Sequence, residues 1–232
     1  MKDSQSGNSH SLDITTLLAS SIHDIKNSLN ILLADVDGIS DLLNPDDSTH
    51  QKALLGLKST TRRLNNELTQ LLVLYRIKTN TYKTSSVFMD VSGFIDDKQR
   101  EYRSFLEADN LVLKTECADG LYWNFDPMLV TSAINNAINN AQRFAKTQII
   151  LSATEVDGML CIQVQDDGTG FPEKILQGDM NNGPDLTAGG TGIGIYFCHE
   201  IASSHCKEDQ CGKLEMTNDG PDGGATIRFY FP

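Results

Sequence analysis

DPMLVTSAINNAINNAQRFA, residues 126–145, starts like a helix and carries an oddity in its middle. Asp126 is placed to cap, and Pro127 stands at the first helical position, where a missing N–H is harmless. Leu129, Val130, Ala133, Ile134, Ala137, Ile138 and Ala141 recur at helical spacing and predict one apolar face. Four asparagines then fall within six positions, each about half a kcal/mol poorer than Ala in a helix. Asn136 and Asn140 lie one turn apart on a common face, which Arg143 and Phe144 continue. Amide oxygens suit a hard cation such as Mg²⁺, which keeps waters and takes few protein ligands. The plainer alternative is a solvated helix face.

Around this helix the pattern is that of strands. SVFMDV, LVLKTEC, LYWNF, TQIILSATEV, MLCIQVQD, KLEMTN and ATIRFYF are β-branched or aromatic, and several alternate. Further helical patterns lie at about 92–107 and 192–204. Strands interleaved with helices predict a mixed sheet with helices packed on one face.

Two glycine-bearing stretches lead into the last helix pattern. In VQDDGTGFP (164–172) a strand ends at Asp166, and Gly168 and Gly170 let backbone approach a ligand closely; an ordinary D-G turn is the alternative. In AGGTGIGIYF (188–197) Gly190, Gly192 and Gly194 open an apolar helical run. Amides at a helix N-terminus bind phosphate, although dinucleotide and kinase loops share such glycine spacing.

The N-terminal third has another period. Leu18, Ile22, Ile25, Leu29, Leu32, Val36, Ile39 and Leu43 alternate steps of four and three, a heptad seam. Asn44-Pro45 ends it. Leu54, Leu57, Thr61, Leu64, Leu68, Leu71 and Tyr75 make a second seam. Two such helices form an antiparallel hairpin, too small to bury both seams, so two copies are expected to pair as a four-helix bundle. The predicted organisation is α+β: a polar, disordered lead-in over 1–11, a dimerising hairpin over 12–82 and an α/β sandwich over 83–232.

Net charge is −12, which argues against nucleic acid and anionic membranes as partners. No apolar run approaches a membrane span, and the polar start lacks a secretory core, so a cytoplasmic protein is expected. Five cysteines are too few and too scattered for a disulfide scaffold. The spacing of Cys198, His199, His205, Cys206 and Cys211 matches no standard zinc pattern; Cys198 is expected to pack in a helix and the rest to lie in a loop.

The order of these elements is more telling than any one of them. S-x-x-H-D-I-K-N on a heptad helix precedes N-A-I-N-N-A-Q-R-F, then D-D-G-T-G, then G-T-G-I-G-I, then GGATIRFYFP. Over residues 12–232 this resembles the sensor histidine kinases of two-component systems.

The resemblance implies a role for each matching residue. His23 would accept a phosphoryl group from ATP. Asp24 would hydrogen-bond one ring nitrogen and free the other. Asn27 would orient water when the partner is dephosphorylated. Asn140 would hold Mg²⁺ with Asn136 nearby, Arg143 would reach phosphate and Phe144 would lie against adenine. Asp166 would accept from the adenine amino group, with Gly168 and Gly170 shaping that pocket. Gly190, Gly192 and Gly194 would close a lid on the phosphates. Implied partners are a second copy, the receiver domain of a response regulator, and a separate sensor protein where this chain lacks one. Ser28 stands where the family often has proline. The alternatives are a dimeric docking module without turnover, and a related ATPase that phosphorylates no histidine.

Overall fold

The computed structural model describes residues 25, 27–33, 35, 36, 38, 39, 48–177 and 193–232. The lead-in, His23, Asp24, the turn at Asn44-Pro45, Gly190 and Gly192 lie outside them. The chain forms two compact units, residues 1–76 and 77–232.

In the first unit the described residues between 25 and 39 are helical, and α1 runs over Ser48–Lys78. Asn65 Nδ2 donates to Asn30 Oδ1 across 2.8 Å, joining the two helical stretches. Val36 and Thr61 are buried. Ile25, Leu32, Ile39, Leu57, Leu64 and Leu71, all seam positions, stay exposed in the single chain.

The second unit follows the strand and helix pattern of the sequence. Its elements are β1 (Val87–Asp90), α2 (Val91–Ala108), β2 (Val112–Cys117), β3 (Tyr122–Phe125), α3 (Pro127–Phe144), β4 (Gln148–Val156) and β5 (Met159–Asp166). Then come α4 (Glu173–Leu176), α5 (Ile193–Ser204), β6 (Cys206–Lys207), β7 (Gln210–Cys211), β8 (Lys213–Thr217) and β9 (Thr226–Phe231). The main sheet has the order β2-β4-β5-β9-β8. It is mixed, because β2 and β4 are parallel while the other neighbours are antiparallel. β1 and β3 form a separate antiparallel pair.

Register explains why helices cover one face only. Leu160, Ile162 and Val164 of β5 lie opposite Phe231, Phe229 and Ile227 of β9, and all six are buried. The alternate positions are polar. Gln163 accepts from Arg228 Nε at 3.1 Å, and Tyr230 donates to Glu215 at 2.8 Å. A period of two thus gives the sheet one apolar face for α2, α3 and α5 and one hydrated face. The seven apolar positions expected of α3 are its buried residues. Phe125 joins the layers, with Phe94 edge-on at 5.4 Å and Phe231 at 6.3 Å.

The cysteine cluster departs from expectation. Cys198 is buried in α5, as its place in the helical pattern predicts. Cys206 and Cys211, however, do not lie free in a loop: they face each other across β6 and β7 and form a disulfide. The cause is the turn at Glu208 and Asp209, where Glu208 takes a positive φ of 53° and reverses the chain in two residues. Among the described residues no helix is long and apolar enough to cross a membrane.

Candidate nucleotide site

Helix α3 is fixed at its start by Asp126. Oδ1 accepts from the backbone N–H of Met128 (3.0 Å) and Leu129 (3.1 Å), which caps the helix. Oδ2 accepts from Tyr82 OH (3.1 Å) and the Ser85 N–H (2.8 Å), tying down the polar segment before β1. The N–H of Asp126 donates to His205 Nε2 at 3.0 Å, and His205 Nδ1 lies 2.8 Å from the Ile201 carbonyl. One buried residue, through its carboxylate and its own N–H, therefore holds three chain segments.

Three of the four asparagines have structural work. Asn135 Oδ1 accepts from Lys98 Nζ at 3.1 Å, and Asn139 Oδ1 accepts from Tyr102 OH at 3.4 Å, so both face α2. Asn136 turns to α5, where its Nδ2 donates to the Gly194 carbonyl at 2.7 Å and touches Cys198 Sγ at 3.6 Å. Burial pushes the Cys198 thiol up to about 12, so it stays protonated and inert. Asn140 is half-buried and its amide meets no partner among the described residues. One turn on, the Arg143 guanidinium lies 5.6 Å from the Phe144 ring centre, with both side chains exposed.

The end of β5 meets the end of α3. Asp166 is buried, its Oδ1 accepting from the N–H of Gly168 (2.8 Å) and Ala225 (3.3 Å). Burial raises its pKa against the pull of those two N–H groups. Gly168 passes so close to α3 that a Cβ there would sit 2.4 Å from the Phe144 carbonyl oxygen. The first glycine thus serves a contact between two backbones, and it brings Asp166 beside Phe144. Gly170 has a φ of 75° and leaves no room for a Cβ beside Asn218.

Two supporting residues escape the sequence patterns. Asp167 is buried and accepts from the N–H groups of Lys146 (2.7 Å) and Thr147 (3.0 Å) and from the Thr147 hydroxyl. Burial pushes its pKa up, but these donors outweigh it and hold the carboxyl at about 2. Asn218 accepts from the Phe171 N–H (2.7 Å) and donates to the Phe171 carbonyl (3.0 Å). Asp167 was visible only as half of a D-D-G turn, and Asn218 carried no signal at all.

The fold therefore gathers Asn140, Arg143, Phe144, Asp166 and Gly168 around the meeting of α3 and β5, and sets Asn136 against Gly194. Gly170 borders the same loop. Asn27 is an exposed helical residue of the first unit.

Known proteins share this fold. Residues 125–232 match the family of histidine kinase-, DNA gyrase B-, and HSP90-like ATPases. The sensor protein SrrB of Staphylococcus aureus is 21% identical over 208 residues, covering 85% of this chain and 36% of SrrB. This chain thus spans about a third of that relative's length. The solved histidine kinase AdeS of Acinetobacter baumannii superposes with a TM-score of 0.60 at 17% identity, over 90% of this chain and 96% of its own. Full-length ShkA, crystallised with AMPPNP, superposes with a TM-score of 0.70 at 16% identity, over 94% of this chain and 46% of its own. At such identities the structures speak for the fold, and the matched residues for the family. The match over residues 125–232 and the similarity to SrrB together support a sensor histidine kinase catalytic domain in this chain.

Proposed function

We propose that this protein is an ATP-dependent protein histidine kinase of a two-component system. The observation that carries the proposal is Asn140: of the four clustered asparagines it alone has no hydrogen-bond partner among the described residues. Its half-buried amide is left open to water or to a ligand. Its oxygen fits Mg²⁺, and the described residues hold no cluster of carboxylates, histidines or cysteines that would bind a metal by themselves. A cation there would be held by one amide, water and the phosphates of the nucleotide, as Mg²⁺ is in such sites. Bound Mg²⁺ neutralises developing charge on the phosphates.

Asp166 offers the adenine amino group an acceptor, Phe144 a ring to stack on, and Arg143 a charge for phosphate. The phosphoryl acceptor is His23. Its free ring nitrogen attacks the γ-phosphorus, a P–N bond forms, the bond to the bridging oxygen breaks, and ADP leaves. Asp24 accepts the N–H of the other ring nitrogen and so fixes the tautomer. The phosphoryl group then passes to an aspartate of a receiver domain, and Asn27 orients water for its later removal. Gly190, Gly192 and Gly194 would supply the backbone that closes on the phosphates. The exposed seam residues of the first unit support pairing with a second copy, since about 25 cal/mol per Å² favours covering them.

The test is incubation with Mg²⁺ and γ-labelled ATP. The expected label is acid-labile, base-stable and absent from His23→Gln. Label surviving in that variant removes His23 from the reaction. Hydrolysis without label supports a related ATPase, and failure to bind ATP supports a docking module.

A further inference from the structure

We infer that the Cys206–Cys211 disulfide is a thiol-exchange site, reducible in the folded protein by an external thiol or dithiol. Both cysteines are exposed, and the strands they join are two residues long. The hairpin needs little from the bridge to stay in place: His205 before it is buried, and the Gly212 N–H after it donates to the His205 carbonyl at 2.7 Å. Its turn instead holds Glu208 at a positive φ of 53°, where a residue with a Cβ is strained. Exposed disulfides of this kind are the labile ones, whereas structural bridges are buried or close large loops.

The surroundings of the two sulfurs differ. An open cavity of about 250 Å³ runs past Cys206 between Thr84, Asn124 and Lys207. Cys211 is not among its walls. Lys207 places a positive charge beside Cys206, which favours approach of a thiolate. The incoming thiolate attacks Cys206 Sγ, a new S–S bond forms, and Cys211 leaves as a thiolate that takes a proton from water. A second thiol then resolves the mixed disulfide: the Cys206–Cys211 pair gains two electrons and two protons, and the thiols are oxidised to a disulfide. An enzyme that consumes ATP works where thiol reductants are abundant, a step that rests on the kinase reading above. In such surroundings a bridge of this type is a redox sensor rather than a brace.

The site is read by counting thiols without any assay of ATP. The folded protein is treated with dithiothreitol, quenched in acid, unfolded and alkylated. The oxidised form carries three free cysteines, Cys117, Cys161 and Cys198, so the expected change is from three alkylated residues to five. A brief exposure to reduced glutathione locates the attack. Trypsin cuts after Lys207 and separates the two sulfurs, and the mixed disulfide is expected on the peptide ending at Lys207. Three alkylated residues after native treatment, or five with no reductant present, overturn the proposal. Glutathione on Cys211 overturns the assignment of the attacked sulfur. Loss of histidine phosphorylation would leave all these counts unchanged, so the two proposals fail separately.

Discussion

Asn136 Nδ2 donates to the Gly194 carbonyl across 2.7 Å, joining the middle of α3 to the first turn of α5. The side chain that the motif places near the cation is spent on holding the helix that follows the glycine box. Asn136→Ala removes this bond and leaves a carbonyl unpaired. The expected loss is about 1 kcal/mol, or a fall in Tm of roughly 2–4 °C for a domain of this size. Nucleotide affinity falls with it. An unchanged melting curve would show that the bond contributes nothing in solution.

Asn140 predicts the opposite pattern. Since its amide touches no described group, Asn140→Ala should leave stability within about 0.5 kcal/mol. Mg²⁺-dependent binding of ATP should weaken at least about tenfold, near 1.4 kcal/mol. Titration calorimetry with and without Mg²⁺ separates the two effects. Asn139→Ala, which strips the acceptor from Tyr102, should instead destabilise the fold.

Gly168→Ala tests the meeting of β5 and α3. The new methyl would sit 2.4 Å from the Phe144 carbonyl oxygen, a backbone atom that cannot rotate away. Overpacking of this kind costs about 1–3 kcal/mol, and urea denaturation would register it as a lower midpoint. A variant as stable as the parent would mean that the two backbones are farther apart than described.

Acid should unfold the domain partly through Asp167. Its folded-state pKa, about 2, lies below the ordinary 3.8. The stabilisation is therefore complete above pH 4 and is lost as pH falls toward 2. It amounts to about 2 kcal/mol. Asp167→Asn should be less stable at neutral pH and show a flatter acid limb in pH-dependent denaturation. Parallel acid limbs would count against the three donors that hold this carboxylate.

His205 acts in a higher window. Burial lowers its pKa below the ordinary 6.5, against the pull of the Ile201 carbonyl. The unfolded ring binds protons first, so stability is full above pH 6.5 and declines below it. A protonated ring also loses the lone pair that receives the Asp126 N–H. His205→Gln should remove this decline below pH 6.5. A decline that persists in the variant would assign it to another group.

Much of the second unit was legible because its signals are local. The apolar face of α3 follows from a period of 3.6, and the inner face of β5 and β9 from a period of two. The cap at Asp126 follows from residue type at a helix start. The cysteine hairpin was not legible, since it depends on Glu208 adopting a conformation that glutamate seldom takes.

By itself the amino-acid order determined the main strands and helices and their buried faces, which depend on neighbours a few positions away, and the order of its motifs offered the candidate site residues. Tertiary structure alone decided how the four asparagines divide their duties, that Gly168 makes room for the Phe144 carbonyl, and that Asp126 receives Tyr82 and Ser85 while giving its N–H to His205. Such pairings join segments 20 to 80 residues apart. Their energies come from burial and hydrogen-bond geometry, which exist only once the chain has closed on itself.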